Sequence, residues 1–217
     1  MSEDLEALKR EAAEAAAQEI RDGMALGLGT GSTVRHLLPA LAARGLSGLR
    51  CVATSTATTE QATALGIPVE PFETLARLDL AIDGADQVAP DGWVVKGGGG
   101  AHVREKIVAA AADRFVVIVD ATKVVDMLKP PIPLELLAFG LPATLQALGA
   151  VTIRPGFPPS PDGNVIADYT GPVDDPAALA AFLSSMPGVV DHGLFPPELT
   201  AEVVIATAGG VQRRALR

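Results

Sequence analysis

A chain of 217 residues, 48% hydrophobic and 20% charged, can bury a full core as one large domain or two modest ones, which sets disorder aside. Its formal net charge of -9, with lysines and arginines scattered, argues against a nucleic-acid partner, whose binders carry a basic patch or stripe. A single cysteine, Cys51, excludes an internal disulfide framework, and no apolar run of 18 residues appears, so the expectation is a soluble cytoplasmic protein with no membrane partner.

From Glu3 to Arg21, Leu5, Leu8, Ala12, Ala15, Ala16 and Ile20 recur along one face and predict a helix that Gly23 stops. Met24 to Leu28 reads as a short buried strand, and Gly29-Thr30-Gly31-Ser32-Thr33 as a turn into a helix through Leu37, Leu38 and Leu41. The unit recurs with a strand over Leu49 to Ala53, a polar turn at Thr54-Ser55-Thr56 and a helix from Thr58 to Leu65. Cys51, within that strand beside Val52, reads as a small core residue rather than a reactive thiol. Strands at Leu78 to Ile82 and Trp93 to Val95, a helix over Ala101 to Asp113 and a strand at Phe115 to Val119 continue the alternation. This pattern predicts an α/β fold: a Rossmann-like, largely parallel sheet with helices on both faces.

Pro130, Pro131 and Pro133 interrupt the pattern and mark a boundary. Residues 1–128 and 205–217 are assigned to the first domain, and 129–204 to a smaller α+β domain. The latter is read as a strand (Leu134 to Leu137), helix (Pro142 to Leu148), strand (Val151 to Arg154), proline-rich loop (Pro155 to Pro161), strand (Val165 to Asp168) and helix (Pro176 to Leu183). Strands at Val189 to Leu194 and Glu202 to Ala206 follow, the last returning to the first domain.

Chemistry concentrates where strands end. The glycine and hydroxyl turn at Thr30, Gly31, Ser32 and Thr33 opens a helix, so its N–H groups and the helix dipole suit a phosphate. It is not the dinucleotide fingerprint, because Ser32 stands where the third glycine belongs, and no Lys follows Gly31 as a P-loop requires. Asp83 and Asp86 flank Gly84 and Ala85, an arrangement that can hydrogen-bond sugar hydroxyls or ferry a proton; helix capping or a turn is the plainer role for Asp86. Lys96 precedes Gly97, Gly98, Gly99 and Gly100, whose backbone can lie directly against a ligand. Glu105 follows in the first turns of a helix, aimed at the same edge, and Asp120-Ala121-Thr122-Lys123 brings a further lysine there. The three histidines, His36, His102 and His192, form no metal-ligand spacing, and the acids lack the pattern of a calcium loop.

Taken in order, these motifs, together with Pro131-Ile132-Pro133-Leu134-Glu135, Gly163-Asn164-Val165-Ile166-Ala167-Asp168 and Pro187-Gly188-Val189-Val190, resemble the ribose-5-phosphate isomerase A family along the chain. The resemblance implies interconversion of D-ribose 5-phosphate and D-ribulose 5-phosphate through an enediolate, without metal or organic cofactor, in a homodimer or homotetramer. It implies that Glu105 moves the proton and that Asp83 and Lys96 are catalytic. Substrate binding falls to Thr30 through Thr33, Asp83 through Asp86, Lys96 through Gly99, and Lys123, with Lys9 of the first helix as a phosphate contact. Gln87, Gly100 and His102 depart from the usual pattern without removing a proposed catalytic group. Two alternatives remain at this point: a non-catalytic sugar-phosphate-sensing regulator of related fold, and a coenzyme A transferase-like enzyme with a glutamate nucleophile.

Overall fold

Short apolar runs bounded by turn residues form a six-stranded sheet in the computed structural model, which describes residues 2–216. In chain order the first elements are α1 (Ser2–Ala17), β1 (Ala25–Leu28), α2 (Val34–Ala42), β2 (Arg50–Ala53), α3 (Thr56–Ala64), β3 (Leu78–Asp83), β4 (Gln87–Val88), β5 (Val94–Val95), α4 (His102–Ala111) and β6 (Ala112–Asp120). There follow β7 (Ile132–Leu136), α5 (Leu141–Leu148), β8 (Val151–Ile153), β9 (Val165–Tyr169), α6 (Pro176–Ser185), β10 (Val189–His192), β11 (Leu194–Phe195), β12 (Glu202–Thr207) and β13 (Gly210–Ala215).

The main sheet runs β13-β12-β6-β3-β1-β2 and is parallel except for β13, which pairs antiparallel to β12. On one face Ala12, Ala16 and Ile20 of the α1 segment and Leu37 and Leu41 of α2 pack with Leu26, Leu80 and Ile118. On the other, Val108 and Ala109 of α4 pack with Phe115, Val117 and Phe195. Coverage of both faces explains why the strands read as nearly continuous apolar runs.

From β1 the chain moves to β2 on one side, yet β3 is laid down on the other side of β1. The connections diverge there, leaving a crevice beyond the carboxyl ends of β1 and β3, where open α/β sheets bind ligands. Gly29 and Thr30 leave one strand, Gly84 to Asp86 the other.

A second, four-stranded antiparallel sheet, ordered β10-β7-β9-β8, packs Leu134, Leu136 and Ala167 against Leu148 of α5 and Leu183 of α6. Three expectations are corrected. The strand at Trp93 to Val95 does not join the main sheet: Val94 and Val95 form the centre of a small antiparallel sheet, β11-β5-β4. The single strand expected over Val189 to Leu194 breaks at Gly193 into β10 and β11, which belong to different sheets. Finally, β12 enters the main sheet at Glu202, before the boundary drawn at 205, and the β13 hairpin strand was not anticipated.

Gly193 has a physical reason to be glycine. The Lys96 N–H donates to its carbonyl at 2.9 Å and its own N–H donates to the Pro133 carbonyl at 2.7 Å, and a Cβ there would lie 2.1 Å from the Lys96 carbonyl oxygen. Among the described residues no helix is long and apolar enough to cross a membrane.

Candidate active site

At the divergence of β1 and β3 lies a cavity of about 230 Å³ lined by Thr30 to Thr33, Gly84 to Asp86, Lys96 to Gly99, Glu105 and Lys123. Its floor is a buried cluster of three charged groups. Lys96 Nζ sits 2.8 Å from Asp83 Oδ2 and 3.3 Å from Glu105 Oε2, and donates to the Gly84 carbonyl at 2.5 Å. Each of the three residues is at most 3% exposed.

Local sequence explains how the three meet. Asp83 is the last residue of β3, and its Oδ1 accepts from the N–H groups of Thr30 at 3.0 Å and Gly84 at 2.7 Å. Lys96 directly follows β5, and the Gly193 contact holds it in place. Glu105 lies in the first turn of α4 on its buried side. Close approach of β1 to β3 needs Gly29, where a Cβ would fall 1.9 Å from Asp83 Cγ.

These placements give the two carboxyls different characters. Burial pushes both upward, and Lys96 opposes that rise in each case. Glu105 is pushed up to about 8, with the Asp83 charge adding to the burial effect. Asp83 carries two backbone N–H bonds and the closer contact with Lys96, whereas Glu105 Oε2 has only the longer contact with Lys96. Of the two acids sharing one ammonium, Glu105 is therefore the one whose charge has the weaker hydrogen-bond support. Lys96 itself is shifted upward: burial disfavours its charge, but Asp83 and Glu105 outweigh the penalty and keep it an ammonium.

The rim supplies donors. Among the described residues no side chain caps the N-terminus of α2, so the N–H groups after Gly31 face the cavity end of that helix. Asp120 accepts from the Thr122 N–H at 2.9 Å and stabilises the turn that delivers half-buried Lys123. The Gly98 N–H donates to Asp86 Oδ2 at 2.8 Å. Ser55 is the N-cap of α3 and accepts from the Thr58 N–H at 3.2 Å, and its hydroxyl also meets that of Thr30. Capping is thus what the Thr54-Ser55-Thr56 turn does.

Two expected residues are not on the cavity wall. Asp83 lies behind it, reaching the cavity through Lys96, and Lys9 of α1 is bound to Glu6 Oε1 at 2.6 Å. Cys51 is buried and burial pushes its thiol up to about 12, consistent with a core role. Sequence reasoning missed Arg154, which donates to the carbonyls of Gly97 and Gly98 at 3.1 and 2.9 Å; one arginine before a proline carries no local signal of such a contact. A larger cavity of about 740 Å³ lies between α4, the segment Val69 to Glu73 and the edge of the four-stranded sheet at Glu135 and Val190, but its arginine, Arg104, is tied to Asp162 at 2.7 Å. Its buried acid, Glu135, is engaged by Ser160 and Asn164, each at 2.7 Å. Among the described residues no cluster of cationic and acidic groups comparable to Asp83, Lys96 and Glu105 converges there.

Comparison with known proteins agrees with this geometry. Residues 50–210 match the family model described as ribose 5-phosphate isomerase A (phosphoriboisomerase A). A ribose-5-phosphate isomerase A of Caulobacter vibrioides is 44% identical over 219 residues, covering 94% of this chain and 96% of the relative. The crystal structure of ribose 5-phosphate isomerase A from Neisseria gonorrhoeae superposes with a TM-score of 0.93 at 32% identity, covering 98% of each chain. A D-ribose-5-phosphate isomerase in complex with phospho-erythronic acid gives a TM-score of 0.92 at 33% identity, over 97% of this chain and 99% of that one. With its cavity at the sheet's switch point and a match over most of its length, the chain belongs to the ribose 5-phosphate isomerase A family.

Proposed function

We propose that the chain interconverts D-ribose 5-phosphate and D-ribulose 5-phosphate, with Glu105 as the group that carries the proton. The observation that bears most weight is the buried Asp83–Lys96–Glu105 cluster at the foot of a cavity whose rim is rich in anion donors. The phosphate end takes the N–H groups and hydroxyls of Gly31 to Thr33 together with Lys123, and the sugar end lies over Lys96 and Glu105.

In the open-chain aldose, ionised Glu105 removes the proton on C2 and the electron pair moves toward the C1 carbonyl, leaving negative charge on O1. The Lys96 ammonium faces that charge in a dry setting, and a preorganised donor of this kind supplies about 3 kcal/mol. Glu105 then returns the proton to C1, while the hydroxyl hydrogen of C2 ends on O1, giving the ketose. A base whose conjugate acid titrates near 8 is well matched to lifting a carbon-bound proton and giving it back near neutral pH. Asp83 holds Lys96 in place and charged. This favours turnover over mere sensing of a sugar phosphate, which has no need of a buried acid beside a buried ammonium.

The test is turnover of ribose 5-phosphate in a coupled assay with the Glu105→Gln variant alongside. The variant is expected to bind ribose 5-phosphate within a few-fold of the parent by calorimetry and to lose about 10²- to 10⁴-fold in kcat. A near-parental kcat would remove Glu105 from the mechanism. The homodimer or homotetramer is tested by size-exclusion chromatography with light scattering.

A further inference from the structure

The cavity wall from Gly97 to Gly99 carries no side chains that could pack it in place, yet it must define one side of the substrate site. Two anchors hold it. From within, Asp86 Oδ2 accepts the Gly98 N–H at 2.8 Å. From without, Arg154, just past the end of β8, reaches over from the four-stranded sheet, and its Nη1 donates to the carbonyls of Gly97 at 3.1 Å and Gly98 at 2.9 Å.

The rest of the guanidinium is committed as well. Its Nε and Nη2 donate to Asp168 Oδ2 and Oδ1 at 2.8 and 2.7 Å, a bidentate fork, and its carbon lies 5.0 Å from the centroid of the Phe157 ring. A planar guanidinium can serve a carboxylate with one edge and two carbonyls with another, which an ammonium cannot do. The Arg154 side chain is 14% exposed, so water competes weakly for these bonds.

We infer that Arg154, oriented by Asp168, is a positioning residue for the isomerase site: it draws the Gly97 and Gly98 carbonyls outward and so fixes the wall that follows Lys96. The inference rests on the reading of this cavity as the isomerase site. Through this contact the four-stranded sheet, which supplies no residue to the cavity lining, governs the shape of the site.

The test uses Arg154→Ala, Arg154→Lys and Asp168→Asn in the full chain, with kcat and KM measured separately, thermal melting, and hydrogen exchange of the segment 96–101. Because a displacement of about 1 Å can cost 10²-fold in rate, Arg154→Ala is expected to lose about 10- to 100-fold in kcat/KM. Arg154→Lys should recover little of that loss. Millimolar guanidinium should restore several-fold in Arg154→Ala where sodium chloride does not, and exchange at the 97–100 amides should rise. If Arg154→Ala fails to fold, Asp168→Asn carries the test, with a several-fold loss and faster exchange expected. Kinetic constants within twofold of the parent, or a loss of activity with unaltered exchange and no guanidinium rescue, would overturn the inference. An inactive parent would instead remove the isomerase reading, and the exchange measurement would still decide whether Arg154 anchors the wall.

Discussion

Glu105 and Lys96 owe their chemistry to burial more than to identity. An exposed Glu beside a Lys on a helix would be an ordinary ion pair; here burial pushes the acid up to about 8 and places it opposite a cation that stays charged. The kcat/KM for ribose 5-phosphate should therefore rise with pH through about 8, as the base loses its proton in the free enzyme. His102, which burial holds down at about 4 and whose ring nitrogens lack well-formed hydrogen bonds, is neutral throughout that range, so His102→Leu should leave the limb in place. A flat profile from pH 6 to 9 would contradict the assignment. The sign for stability is opposite: the folded chain holds the Glu105 proton more tightly than the unfolded one, so this contribution is present at low pH and lost as pH rises through about 8. Glu105→Gln should thus melt higher than the parent at pH 9 and show a smaller gain at pH 5, each kcal/mol appearing as about 2–4 °C. The Lys96 ammonium already bridges the two carboxyls, and among the described residues no group of three His, Cys, Asp or Glu could hold a metal ion, so prolonged chelation should leave kcat within about twofold. Activity that returned only with added divalent ions would show that another cation takes part.

At the scale of elements, the residues that sequence placed at strand ends are brought to one cavity because β1 and β3 are neighbours at the switch point, with Asp83 and Gly29 in contact range. Several strand and helix positions were legible because their apolar runs ended in Gly or Asp, as at Gly29, Asp83, Asp120 and Gly149. Sheet membership was not. Two apolar residues, Val94 and Val95, cannot announce in sequence whether they extend a parallel sheet or form a side sheet, since that depends on the distant partner Leu194-Phe195. Arg154 was hidden for the same reason: its partners Gly97 and Gly98 lie 57 and 56 residues away. Gly29→Ala tests the β1–β3 approach directly. The added methyl overlaps the Asp83 carboxyl, so either β1 moves or Asp83 leaves Lys96; kcat/KM should fall by about 100-fold. Overpacking should also lower the urea midpoint by the equivalent of about 1–3 kcal/mol. Parental kinetics in a variant with lowered stability would mean that Asp83 is not needed where it stands.

For the molecule as a whole, a net charge of -9 is compatible with an anionic substrate because the donors that meet it are local, while charges farther than about 8 to 10 Å are largely screened at physiological salt. The larger issue is how two sheets share one site. Lys96 directly follows β5 of the side sheet, its N–H donates to Gly193 at the junction of β10 and β11, and Gly193 in turn donates to Pro133 of β7, so three segments meet in one hydrogen-bonded line. That junction was unreadable in a sequence where Val189 to Leu194 looks like one strand. Gly193→Ala would put a methyl 2.1 Å from the Lys96 carbonyl and 2.9 Å from Pro133 Cδ, with rigid backbone on one side and a ring on the other. Relief requires the two sheets to part or Lys96 to shift. The variant should therefore lose about 1–3 kcal/mol or more of stability by urea unfolding and, at temperatures where it remains folded, lose kcat out of proportion to any change in KM, because Lys96 is displaced from the charge that develops on the sugar oxygen. A variant with the expected loss of stability and an unchanged kcat would show that the junction holds the fold together without setting the position of Lys96.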